Sequence, residues 1–130
     1  MKAGRELDAL IAEKVMGLTR HDESYVAEGV GKVLRFVWRD GCGTCVYSGD
    51  MFLPHYSTNI ADAWEVVRKM GMVLIENSGE AFGKLDEWNV QFVGHDKEGE
   101  PHWVSESAET VELAICLAAL KAVSQEGQHG

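Results

Sequence analysis

"STNIADAWEVVRKMG", residues 57–71, decides the fold, because it fixes one helix at both ends. Ser57, Thr58 and Asn59 all carry side chains that accept hydrogen bonds from the free N–H groups of a helix start, and Asp62 stands three residues after Asn59 in a capping-box-like relation. Ile60, Ala63, Trp64 and Val67 recur at helical spacing, which predicts a buried stripe along one face. Gly71 closes the helix, since glycine adopts the left-handed C-terminal conformation at little cost.

The chain around this helix alternates between helical and strand periods. Upstream, "RELDALIAEKVMG" (5–17) places Leu7, Leu10, Ile11, Val15 and Met16 on one helical face and ends in a glycine. The polar segment "TRHDESYVAEGVG" (19–31) leads into "KVLRFVWRD" (32–40). There, period-two alternation predicts a strand with Leu34, Phe36 and Trp38 on one face and Val33, Arg35, Val37 and Arg39 on the other. "TCVYSGDMF" (44–52) reads as its return strand, with "DGCG" as the turn. Downstream, "MVLIEN" (72–77) is a buried strand and "EWNVQFVGHDKEGEPHWVSE" (87–106) a hairpin turning at "DKEGE". The last helix lies in "SAETVELAICLAALKAVS" (107–124), capped near Ser107 and apolar nearly all round from Val111 to Val123, which calls for deep burial. The reading is one α+β domain over residues 1–130, with three helices on a sheet of about five strands in the order α-β-β-α-β-β-β-α. Residues 124–130 read as a disordered tail.

The length of 130 residues suffices for a core without disulfides or metal, and 45% hydrophobic content argues against disorder. No apolar run approaches the roughly 18 residues of a membrane span. Acids and a lysine interrupt the N-terminal apolar pattern, where a secretory signal would need an unbroken block. The reading is therefore cytosolic, with no membrane partner. The formal charge of −9 opposes duplex DNA binding, which depends on releasing phosphate counterions from a basic face.

Three blocks, "LIAEKVMGL" (10–18), "LPHYSTNIADAWEVVRKM" (53–70) and "AICLAALKAV" (114–123), stand in an order and spacing that resemble the phage ABA-sandwich family. These are small phage and prophage proteins of Firmicutes, largely without assigned function. The resemblance implies a three-layer α/β/α sandwich and a phage gene expressed in the host bacterial cytoplasm. It transfers no catalytic residues.

The chemistry-bearing residues fall into four groups. Cys42 and Cys45 form a Cys-x-x-Cys in "DGCGTC", yet structural zinc needs four ligands and a redox pair favours a helix N-terminus, so a plain turn is the preferred reading, with no metal or cofactor. His55, Tyr56, Ser57 and Thr58 open the central helix, where free N–H groups and the dipole suit phosphate; ordinary capping is the competing reading. Arg35 and Arg39 share a strand face, with Trp38 opposite, and arginine grips phosphate or carboxylate bidentately. Four tryptophans are generous for this length: Trp64 reads as core, and Trp88 and Trp103 as cross-strand packing in the last hairpin. No nucleophile elbow, His-x-x-x-His or paired-acid arrangement supports catalysis. The leading expectation, by analogy with small phage-encoded α/β proteins, is a non-enzymatic binder. It would sequester a small anionic, nucleotide-type host defence signal in a pocket completed by homo-oligomerisation, using Arg35, Arg39, Trp38 and residues 55–58. The alternative is a module that binds a host protein and inhibits or redirects it.

Overall fold

The structure, a computed structural model, describes residues 1–71, 73–77, 87–95 and 98–127. It is an α+β sandwich of three helices and eight strands in three small sheets. Helix α1 (Arg5–Leu10) runs into a wide π turn over Ile11–Val15, where the Met16 N–H donates to the Ile11 carbonyl five residues back. Gly17, at φ +75°, ends it, and the Leu18 N–H reaches back to the Ala12 carbonyl. Leu7, Ile11 and Val15 point into the core, as their spacing predicts, and Ala12 joins them, while Leu10 and Met16 are half-buried.

Helix α2 (Ile60–Met70) also has the predicted ends. Asn59 Oδ1 accepts from the Asp62 N–H, and Gly71 sits at φ +88° with its N–H on the Val67 carbonyl. Its buried stripe is Ala63, Val66 and Val67; Ile60 and Trp64 lie half exposed, Trp64 at 44%. The stripe is thus turned from the predicted one, because Val66 joins Val67 on the face that packs on the third helix.

That helix, α3 (Val111–Gly127), is the centre of the molecule. Its cap is Thr110, whose hydroxyl oxygen accepts from the Leu113 N–H at 3.3 Å, and not Ser107, which lies in the last strand. The helix continues through Gly127, into the expected tail; residues 128–130 lie outside the described residues. Ala114, Ala118, Ala119 and Ala122 are all buried, and these small residues let neighbouring backbones approach. Strands β6 (Val73–Asn77), β7 (Trp88–His95) and β8 (Pro101–Ala108) form an antiparallel sheet whose β7 and β8 pack on α3. Val90, Phe92 and Val104 fill the contact, and at Gly94 an added Cβ would lie 3.0 Å from Val104 and 3.5 Å from the Ala122 carbonyl. Trp88 and Trp103 do not pack as a cross-strand pair: Trp88 faces Ala108 and Trp103 faces Val93. Part of the expected "DKEGE" turn falls outside the described residues.

The largest departure from expectation lies between α1 and α2. The segment read as polar holds two strands, β1 (Thr19–Asp22) and β2 (Tyr25–Ala27), and the long strand predicted from residue 32 is broken, its first part being β3 (Gly31–Val33). Its second part is β4 (Phe36–Arg39), paired with β1 and with β5 (Cys45–Tyr47). Leu34 falls at the break and is 68% exposed, whereas Trp38 is buried against the core. Short strands escape a pattern reading because exposed ribbon positions need no apolar alternation.

Candidate functional site

Residues 19–39 form one bent β-ribbon. β1 pairs antiparallel with β4, β2 with β3, and the bend between the pairs is stitched by two bonds: the Glu23 N–H to the Arg35 carbonyl at 2.8 Å and the Arg35 N–H to Ser24 Oγ at 3.0 Å. The base of the ribbon joins the core through Trp38. The outer part, β2–β3, pairs with no third strand among the described residues. Val26, Lys32 and Leu34 fall on one face by alternation, Tyr25, Ala27 and Val33 on the other, and Val30 lies in the turn. Val26 is 80% exposed, Val30 75% and Tyr25 52%.

At the base, Asp50 is a hub. Arg20 grips its carboxylate bidentately, with Nη2 to Oδ2 at 2.6 Å and Nε to Oδ1 at 3.0 Å, and the Trp38 indole N–H donates to Oδ1 at 2.8 Å. The Arg20 guanidinium also stacks 3.7 Å over the Phe36 ring. Arg20, then Trp38, holds the Asp50 carboxyl below the usual range. Arg5 adds bonds to the Asp50 and Leu53 carbonyls and to Asp8. These groups, with Glu6, Ala9 and Glu13, line an open cavity of about 370 Å³. Its cations are already partnered, so the cavity offers a mixed-charge surface and not a ready anion cradle.

The predicted residues divide among three places. Arg39 Nη2 meets Glu23 Oε2 at 2.6 Å and is the foremost group lowering the Glu23 carboxyl, while Arg35, exposed and just before β4, bonds Glu23 through its backbone carbonyl. Arg39 also donates to the Gly43 carbonyl, which ties the ribbon to the "DGCG" turn. That turn is built by Asp40, whose Oδ1 accepts from the Cys42 and Thr44 N–H groups; Cys42 and Cys45 are exposed free thiols. Among the described residues no group of three or more His, Cys, Asp or Glu is placed to hold a metal ion. Trp38 lies apart from the arginines, with its indole in the Asp50 cavity.

Residues 55–58 separate. His55 and Thr58 are exposed, whereas Tyr56 and Ser57 are buried at 1% each, with Ser57 and Thr58 at the wall of an open cavity of about 300 Å³. Ser57 donates through its hydroxyl to Asp8 Oδ1 at 2.7 Å, its N–H donates to the same oxygen at 2.8 Å, and Ser57 Oγ accepts from the Gly4 N–H. Asp8 is fully buried and bound on its other oxygen by Arg5. This lock joins the chain start to the start of α2. Burial, with Tyr47 alongside, pushes the Tyr56 phenol up. Sequence reasoning missed Arg20, Asp50 and Asp8. Only the break of apolar periodicity at Asp8, on the helix face shared with Leu7 and Ile11, signalled any of them.

No helix among the described residues is long and apolar enough to cross a membrane. No curated protein and no solved structure matches the chain. The family model of the phage ABA sandwich domain matches residues 9–120, a span that includes the bent ribbon, the Asp8-independent part of α1 and all of α2, and on that match the chain belongs to the phage ABA sandwich domain family.

Proposed function

We propose that this phage protein is a non-enzymatic protein-binding module that engages its target through the β2–β3 arm, in the host bacterial cytoplasm. The carrying observation is the exposure of Tyr25, Val26, Val30 and Leu34 on a ribbon that pairs with no third strand among the described residues. A two-stranded hairpin alone is marginally stable in water, and clustered exposed apolar side chains mark interaction sites. The test is capture of host protein by wild type and by a Val26→Asp/Val30→Asp variant. Loss of capture with an unchanged melting midpoint is expected; undiminished capture overturns the reading.

A second reading, sequestration of a small anionic nucleotide-type ligand, is favoured by Arg39, which grips the Glu23 carboxylate at 2.6 Å beside the Arg35 backbone. A phosphate group would there replace a carboxylate that one arginine already grips. Calorimetric titration with nucleotides should give heat with wild type and none with Arg39→Ala. Equal heats, or none with either protein, end this reading.

A further inference from the structure

We infer that the outward face of the β6–β7–β8 sheet binds a neutral saccharide, with Trp103 as its stacking platform. This face lies on a different sheet from the arm, so the inference stands apart from the protein-binding reading.

Alternation sorts the sheet into two faces. Val90, Phe92 and Val104 turn toward α3, so Asn89, Gln91 and Val93 on β7 and Trp103, Ser105 and Ser107 on β8 turn away from it. Across the strands Trp103 stands beside Val93, Ser105 beside Gln91 and Ser107 beside Asn89. Leu74 and Glu76 extend the last two of these rows onto β6. The layer that packs on β7 and β8 is α3, on the other side, and Leu74, Val93 and Trp103 take no part in the hydrophobic cluster.

The groups on this face are uncharged and hydrogen-bonding. Of all residues in the chain 25% are charged, yet Glu76 is the one charged residue among the described outward positions of the three strands. Amides and hydroxyls stand there instead, and they are already oriented. Gln91 Nε2 donates to Asn89 Oδ1 at 3.2 Å, and Asn89 Nδ2 donates to Ser107 Oγ at 3.0 Å. This row leaves Gln91 Oε1 to accept from a ligand and the Ser107 hydroxyl to donate to one. Trp103 is 50% exposed, and its indole N–H has no partner among the described residues.

A sugar ring meets each of these groups with its complement. Its C–H face is apolar and packs on an indole, while its rim of hydroxyls both donates and accepts, as amides and serine hydroxyls do. Neutral hydroxyls need no counter-charge. A nucleic acid strand does: its bases could stack on Trp103, but its phosphates would meet Glu76 and no cation among the described outward positions, in a chain of net charge −9. Lys121 reaches the Ser105 carbonyl from α3, but its ammonium is paired with Glu106. From Trp103 to Ser107 the face runs about 13 Å at strand rise and is about 10 Å wide across its strands, which suits a short oligosaccharide lying flat.

The experiment is calorimetric titration of the full chain with maltohexaose, cellohexaose and chitohexaose, and in parallel with single-stranded oligo(dT). One of the sugars is expected to bind with a dissociation constant of about 0.1–1 mM, unchanged when salt rises from about 50 to about 500 mM. Trp103→Ala should weaken that binding about tenfold and Trp103→Phe by less, because the phenyl ring keeps a stacking surface. Ser107→Ala, which removes the donating hydroxyl, should weaken it about threefold. All three positions are changed at exposed side chains and should keep the wild-type melting midpoint. No heat with any of the sugars overturns the inference, as does an undiminished affinity in Trp103→Ala. Binding of oligo(dT) in place of sugar, weakened by salt and by Trp103→Ala, also overturns it and assigns the face to base stacking.

Discussion

The two halves of this molecule treat apolar side chains in opposite ways. In the α3 block most apolar positions find cover: Leu113, Ile115, Cys116 and four alanines are buried against β7, β8, α2 and the turn after α1, and Leu117 and Leu120 are half-buried. In the ribbon, Tyr25, Val26, Val30 and Leu34 remain in water, although they are no less apolar. The difference is topological. A helix crossed by two layers is enclosed by its own chain, while the two-stranded extension has no second layer among the described residues. On the proposed reading a partner covers those exposed apolar residues, and the buried polar lock at Asp8 belongs to the half that must fold alone.

The contrast breaks most sharply at Asp8. Asp8→Ala leaves the Ser57 N–H and hydroxyl without their acceptor inside the core, at a cost of about 3 kcal/mol, measurable as a lowered urea midpoint. Gly94→Ala adds a methyl against Val104 and the Ala122 carbonyl, and overpacking of that kind costs about 1–2 kcal/mol by the same measurement. Smaller still is the acid response of the ribbon base. Asp50, held down chiefly by Arg20, and Glu23, held down chiefly by Arg39, both have folded pKa values below their unfolded ones. Their contribution is therefore present above about pH 4 and lost as pH falls through the depressed folded values. Arg20→Ala should flatten that part of a stability-against-pH curve below pH 4 while leaving the neutral midpoint nearly in place, because the pair is half exposed. Smallest is Val26→Asp, which should move the monomer's stability by less than about 0.5 kcal/mol, since nothing in the chain packs on that side chain. A larger change there would mean that the arm is covered within its own chain after all.

The helices were legible because their signals are local. Asn59, Asp62 and Gly71 close α2 through groups within a turn of one another, and Gly17 ends the first helical segment by the same means. Even so, periodicity could not say which of Trp64 and Val66 faces inward: both lie near the edge of the stripe, and the bulk of α3 against α2 decides it. The ribbon was legible only at its base, in the apolar run Phe36, Val37 and Trp38, of which Val37 and Trp38 are both buried. Its outer strands are three residues each and bury little, so they leave no pattern to read.

The candidate site divides along the same line. The "DGCG" turn followed from Asp40 and two glycines, whereas the single strand face read for Arg35 and Arg39 is interrupted by the break before Phe36. Ser57 looked fit to cap a helix, with phosphate binding as the rival reading, and its hydroxyl is spent elsewhere. Its hydroxyl is claimed by Asp8, 49 residues earlier in the chain, and that pairing exists only once α1 lies across the start of α2. Arg20 meets Asp50 across 30 residues for the same reason. Sequence alone determined where helices begin and end, because hydrogen bonds between near neighbours carry that information. Tertiary structure alone decided which polar groups are spent inside the molecule and which apolar ones are left outside, because burial is a property of the packed layers and not of any segment within them.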